Sequence, residues 1–167
     1  LEEVDILVNK YGARQIAVLD DNFVVDRQRT IDICEGLLKK GYHKKLVWTT
    51  AARADQVDYE LLSLMKKAGF QLVSFGIETG SPRLLKMIKK GETMDHIVRG
   101  VEAAHKAKIK VRGTLILGLP TETREESLAT INWAKELRLD FAKFSLATPY
   151  PGTPLFDIAV EQGMCTD

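Results

Sequence analysis

In five places this 167-residue sequence puts polar or charged side chains directly after an apolar run. Asp20, Asp21 and Asn22 follow Ile16-Ala17-Val18-Leu19, and Arg53 and Asp55 follow Leu46-Val47-Trp48-Thr49-Thr50-Ala51. Glu78-Thr79-Gly80-Ser81 closes the run from Leu72, and Gly118-Leu119-Pro120-Thr121-Glu122 closes the run from Val111. Ser145, Thr148 and Pro149 end the stretch from Phe141. A carboxylate that continues a buried strand stands at the mouth of a core, where desolvation is costly unless a cation or a donor meets it. Asp20, Glu78 and Arg53 together could hold a zwitterion: the acids would take an ammonium, and the guanidinium would take a carboxylate bidentately. Gly76, Gly113 and Gly118 carry no side chain, so the backbone could approach a flat ligand. The chemistry is recognition of an amino acid joined to something planar.

Each of these residues also has a plain structural reading. Asp20-Asp21-Asn22 is turn and cap chemistry. Arg53 could pair with a nearby acid as a plain salt bridge, and Asn22 and Asp55 read as structural. Gly113 and Gly118 could ease helix–strand packing. Pro149 to Pro154 reads as a turn and helix start, and Glu122 as a dipole partner in a first helical turn. His43, His96 and His105 read as solvated, and Cys34 as a small core hydrophobe.

The elements that position these groups alternate regularly. Leu1, Val4, Val8 and Tyr11 have helical spacing, with Gly12 as C-cap. The run from Gln15 to Leu19 reads as a strand buried on both faces. Asp26 caps a helix with Ile31, Cys34, Leu37 and Leu38 inward, and Asp58 caps one with Leu61, Leu62, Met65 and Ala68 inward. Ser81-Pro82 starts a helix to about Lys90. Thr93 opens another through Ile97, Val98, Val101 and Ala104, and Thr123 with Glu126 has capping-box spacing. Strands are expected at Gln71–Glu78, Val111–Leu119 and Phe141–Thr148, besides the two earlier runs. A strand–loop–helix unit repeated five times implies a parallel α/β sheet with right-handed crossovers. Ligands then bind beyond the C-terminal strand ends, where the polar groups collect. Five units do not close an eight-unit barrel, and no G-x-G-x-x-G opens a helix.

Composition narrows the classes. The sequence is 45% hydrophobic and 28% charged, which excludes disorder. Lys and Arg number 24 against 23 Asp and Glu, a net charge of +1, so no basic field points to nucleic acid or an anionic membrane. No apolar run is long enough to span a membrane. Two cysteines, Cys34 and Cys165, make neither a disulfide framework nor an all-cysteine metal site, and a reducing cytoplasm is the expected compartment.

Taken in order, Leu19-Asp20-Asp21-Asn22-Phe23, Arg53, Gly76-Ile77-Glu78-Thr79-Gly80-Ser81, Gly113 to Glu122 and Pro149 to Leu155 resemble the core of radical S-adenosylmethionine enzymes. The nearest pattern is the group that often carries a cobalamin-binding domain upstream, such as anaerobic magnesium-protoporphyrin ester cyclase and hopanoid-modifying enzymes. The resemblance covers essentially the whole chain and implies a TIM-like partial (β/α) barrel, here five parallel strands of an expected six. It implies cleavage of S-adenosylmethionine at a 4Fe-4S cluster to a 5′-deoxyadenosyl radical, and a small-molecule substrate. Family members ligate the cluster through a C-x-x-x-C-x-x-C loop after the first strand. Residues 1–167 carry no such triad, so the expectation is a domain that lacks its first strand and cluster loop, inactive alone, with the cluster confined to a longer parent. Such a piece would expose the edge at Gln15 to Leu19, inviting dimerisation or cover by the first helix. The resemblance further implies cofactor contacts by Asp20 and Asp21 (methionine amino group), Arg53 (carboxylate or ribose) and Glu78 (ribose or methionine end). Gly113, Leu115 and Leu117 would lie along adenine, with Ser145 and Thr148 on the strand edge beside it. Two rivals stay open: a cluster-less non-catalytic barrel module, and a metal-independent lyase or epimerase. The second needs a strand-end base or Schiff-base lysine, and Lys143 lies mid-strand.

Overall fold

The computed structural model describes residues 1–161 and Gly163; Cys165 lies outside them. Five strands form one sheet: β1 (Gln15–Ala17), β2 (Val47–Ala52), β3 (Phe70–Glu78), β4 (Lys110–Leu117) and β5 (Phe141–Leu146). All pairings are parallel and the spatial order follows the chain, β1-β2-β3-β4-β5. A doubly wound sheet reverses its order at a switch point. The unreversed order curls into an open arc of a (β/α) barrel.

Helices α1 (Glu2–Asn9), α2 (Arg27–Lys39), α3 (Tyr59–Lys67), α4 (Pro82–Met87), α5 (Met94–Lys106), α6 (Arg124–Glu136) and α7 (Pro154–Glu161) supply the outer layer. Local chemistry sets their starts. Asp26, Asp58 and Ser81 accept the backbone N–H of Arg29, Leu61 and Leu84, and Pro82 occupies the first helical position. Thr123 and Glu126 close the expected capping box, and Thr93 closes one with His96.

The two faces of the sheet differ sharply. On the convex side Trp48, Ala52, Val73, Phe75, Ile77, Val111 and Leu115 are buried with Leu37, Leu62, Met65, Ile97 and Val101 of the helices. On the concave side the residues run in transverse rows. Ala51, Ser74, Arg112 and Phe141 are register partners in one row, and Gly76, Thr114 and Lys143 in the next, nearer the C-terminal ends. This alternation is the period of a strand read from the two sides of one sheet.

Several expectations need correction. β1 is short, exposed or half-buried along its length, and Leu19 beyond it is 90% exposed, so it is an edge strand and not one buried on both faces. β5 ends at Leu146 and is exposed throughout, because it forms the other edge of the arc. The helix after Ser81 stops at Met87, three residues early, and Lys89 and Gly91 then take left-handed conformations, with φ of 53° and 74°. Tyr11 points out. The first helix seats on α2 and the segment after it: Asp5 takes hydrogen bonds from Lys40 and Tyr42, and Val4 and Val8 pack on the core. His96 accepts the Thr93 N–H and Nδ1 of His43 is buried, while His105 stays exposed beside Asp140. No helix among the described residues is long and apolar enough to cross a membrane.

Candidate functional site

Glu78 ends β3 in a left-handed conformation (φ 66°), at a register shift between β3 and β4. Such a backbone is uncommon for a residue with a Cβ and persists where the surroundings impose it. Here they do. Thr79 is fully buried and its hydroxyl meets that of Thr130 on α6 at 3.2 Å, while the Gly80 N–H donates to Thr130 Oγ1 at 3.0 Å. A Cβ at Gly80 would lie 2.9 Å from Thr130 Cα, so only glycine lets the loop sit this close to α6.

The carboxylate of Glu78 folds back over Gly76 on the concave face. Lys90 Nζ meets its Oε1 at 3.0 Å. A Cβ at position 76 would lie 2.7 Å from that oxygen and 2.9 Å from that nitrogen, so the pair occupies the space a side chain would fill. Lys90 Nζ also lies 3.3 Å from Oε2 of Glu92, whose side chain is 0% exposed. Oε1 of Glu92 accepts the Asp55 backbone N–H at 3.1 Å, and Oε2 lies 4.0 Å from Arg53 Nη2 without a hydrogen bond. Arg53 donates to both oxygens of Asp55 (3.0 and 2.8 Å) and to the Lys90 carbonyl (3.1 Å). The Asp55 carboxylate raises the pKa of Arg53, and the guanidinium holds Asp55 below the usual carboxylate range. Asn22 accepts the Arg53 backbone N–H and donates to Gln56, tying the end of β1 to that of β2.

Arg53 and Glu78 therefore share one rim, joined through Lys90 and Glu92. Reasoning from sequence missed both connectors. Lys90 reads there as the end of a helix and Glu92 as part of a loop. Their one local signal is a charged pair flanking Gly91.

Asp20 is ion-paired to Arg29 at 3.0 Å, and Asp21 is exposed. Both line a cavity of about 300 Å³ on the concave side with Thr49, Ala51, Ser74 and Arg112. The residues of β4 divide between the faces. Gly113 is packed: a Cβ there would meet Leu139, in the loop before β5, at 2.5 Å and Ile77 of β3 at 2.7 Å, so its role is close packing on the convex side. Leu115, 1% exposed, belongs to the convex core, so only its backbone is left to meet a ligand on the concave side. Leu117 is half-buried and its carbonyl accepts the Ala147 N–H at 2.8 Å. Ser145 is exposed as register partner of Ile116, and exposed Thr148 turns its hydroxyl to the Leu146 carbonyl at 3.2 Å.

These groups fit a zwitterion with an attached body: carboxylates at Glu78, Asp20 and Asp21, cations at Lys90 and Arg53, and an open wall beside them. They do not fit an iron–sulfur cluster. Cys34 is fully buried and burial pushes its thiol up to about 12, and no group of three metal-ligating side chains occurs among the described residues.

The chain is 40% identical over 164 residues to an uncharacterized methyltransferase of Pyrococcus horikoshii, which covers 98% of this chain and 35% of that protein. It is 30% identical over 158 residues to the anaerobic magnesium-protoporphyrin IX monomethyl ester cyclase of Cereibacter sphaeroides, over 93% of this chain and 26% of that enzyme. In fold it matches the radical S-adenosylmethionine methyltransferase TsrM of Kitasatospora setae, solved with cobalamin and a [4Fe-4S] cluster, with a TM-score of 0.83 at 22% identity over 96% of this chain and 33% of that one. The chain thus spans between about a quarter and about a third of the length of these proteins. The profile of the Radical SAM superfamily matches residues 1–134, and the chain belongs to that superfamily.

Proposed function

We propose that this chain is the S-adenosylmethionine-holding wall of a radical S-adenosylmethionine enzyme that acts on a small-molecule substrate in a reducing cytoplasm. The cluster, and cobalamin of the kind bound by TsrM, would be held by other parts of a longer protein. The carrying observation is the chain of alternating charges Arg53–Glu92–Lys90–Glu78, gathered over Gly76 at the C-terminal strand ends. The chemistry supplied when the ligand and its cluster are bound is reductive cleavage of the sulfonium C5′–S bond, which opens radical abstraction of a hydrogen atom from substrate.

The residues of this chain bind and orient. Glu78 Oε1 is taken by Lys90, and its Oε2 has no protein partner among the described residues, so it accepts from a ligand ammonium or hydroxyl. Lys90 carries three N–H donors, of which only the one to Glu78 makes a hydrogen bond among the described residues, so the others are left to serve a ligand carboxylate. Arg53 is pinned by Asp55 and presents a fixed positive edge. Asp20 and Asp21 add negative potential at the end of β1, and the backbone from Gly113 to Leu117, with Ser145 and Thr148, offers an edge for a planar base. In the isolated chain, β1 leaves an edge at which two copies would pair, a proposal that light scattering checks.

The test is calorimetric titration of S-adenosylmethionine into the full-length protein carrying this chain. Glu78→Gln, Lys90→Met and Arg53→Ala are each expected to weaken binding by about tenfold or more. Unchanged affinity in all three would overturn the assignment.

A further inference from the structure

Below the rim, the concave wall departs from the interior of an ordinary (β/α) barrel, where bulky branched side chains fill the space in layers. On it Thr49, Ala51, Ser74, Gly76, Thr114 and Ser145 outnumber the bulky Leu72, Ile116 and Phe141. Two long cations stand among them. Arg112 is the register partner of Ser74 on one side and Phe141 on the other, and Lys143 is the partner of Thr114 one row higher. Register partners in a parallel sheet share a face, and Gly113 faces the convex core, so Arg112 and Lys143 are diagonal neighbours on the concave side. Diagonal positions lie about 7–8 Å apart, within reach of one another for side chains of this length. Neither cation has an acidic partner within 4.0 Å among the described residues. Arg112 lines the cavity of about 300 Å³ beneath Asp20 and Asp21. The hydroxyl of Ser74 beside it is uncommitted among the described residues, and Lys143 stands in the row whose other end, Gly76, lies beneath the Glu78–Lys90 pair.

We infer that Arg112 and Lys143, with the Ser74 hydroxyl, form an oxyanion site inside the barrel that takes a phosphate, phosphonate or carboxylate group of the substrate. Two like charges brought together on an inward face repel each other, and a ligand oxyanion that bridges them relieves this. Arg112 offers the bidentate fork and Lys143 the point charge. Lys143 stands two strand spacings, about 10 Å, across the sheet from Gly76 and the pair above it, with Arg112 on the strand between. A substrate anchored here by its anion keeps its uncharged part toward the rim. The word substrate rests on the function proposed above, but the oxyanion site itself does not.

The experiment uses the full-length protein without substrate. Inorganic phosphate and acetate are titrated separately, and the reactivity of Lys143 toward an amine-directed reagent is followed by mass spectrometry. Expected are saturable binding of one of the two anions, protection of Lys143 by that anion, and a fall in its affinity of about tenfold or more in Arg112→Gln/Lys143→Gln. The same variant is expected to keep its melting temperature and its affinity for S-adenosylmethionine. The stronger of the two anions tells a phosphate-type group from a carboxylate. Binding of neither anion, or equal binding by the variant, overturns the inference. So does a Lys143 that is unreactive before any anion is added, because another part of the protein then already covers the pair. Loss of S-adenosylmethionine binding in the wild type would instead remove the rim assignment and leave the anion result standing.

Discussion

Lys90 Nζ closes on Glu78 Oε1 at 3.0 Å in the one spot on β3 where the strand carries no side chain. Three residues far apart in role are thereby coupled: a glycine makes room, a strand-end acid in a left-handed conformation fills it, and a lysine from the α4–α5 loop neutralises the acid.

Gly76→Ala tests that coupling directly. The new methyl group would stand 2.7 Å from Glu78 Oε1 and 2.9 Å from Lys90 Nζ, both at the ends of flexible side chains. The ion pair is expected to swing aside at little cost to the fold. The melting temperature should change by only a few degrees, while S-adenosylmethionine affinity in the full-length protein drops by at least about tenfold.

Glu92 makes the opposite case. Its side chain is 0% exposed, it holds the Asp55 N–H, and it lies beside Lys90 and Arg53. Removing one partner of such a cluster leaves buried charge uncompensated. Glu92→Ala is expected to cost about 3 kcal/mol in urea denaturation, and Glu92→Gln, which keeps an acceptor for Asp55, clearly less. Equal stability of wild type and Glu92→Ala would refute the role given to this carboxylate.

Part of the acid sensitivity should trace to Glu126, alongside Asp5, Asp55 and Asp58, whose carboxyls are also held low. The Glu126 carboxylate takes hydrogen bonds from Arg83 (2.6 and 3.0 Å) and Ser81 (2.7 Å), and the Arg83 contact above all lowers its pKa from 4.5 to about 2. A folded-state pKa below the unfolded one contributes stability above the unfolded value and loses it as pH falls. The melting temperature is therefore expected to decline between pH 4.5 and about 2, and Glu126→Gln to flatten that decline. A scan in which the two proteins run parallel through this window speaks against it.

Cys34 should be chemically silent. Buried, with its thiol pushed up to about 12, it is expected to resist alkylation at pH 8 until the protein is unfolded. Cys34→Ala should leave the iron content of the reconstituted full-length protein unchanged. Iron lost with this substitution would make Cys34 a ligand after all.

The sequence by itself determined the alternating strand–helix order, the helix starts at Asp26, Asp58, Ser81, Thr93 and Thr123, and the strand ends that carry Asp20, Arg53 and Glu78. These follow from short-range physics: apolar periodicity, and a side-chain oxygen within reach of a backbone N–H three residues on. Only the tertiary structure decided that Lys90 and Glu92 join Arg53 to Glu78, that Gly113 and Leu115 turn toward the helices, and that β1 and β5 are exposed edges. Each depends on which strands lie side by side and on which face a residue lands. A one-residue shift such as that between Gly76 and Glu78 reverses that face. Contacts between residues 37 positions apart, such as Arg53 with the Lys90 carbonyl, are decided when the loops at the rim meet, and no local pattern records them.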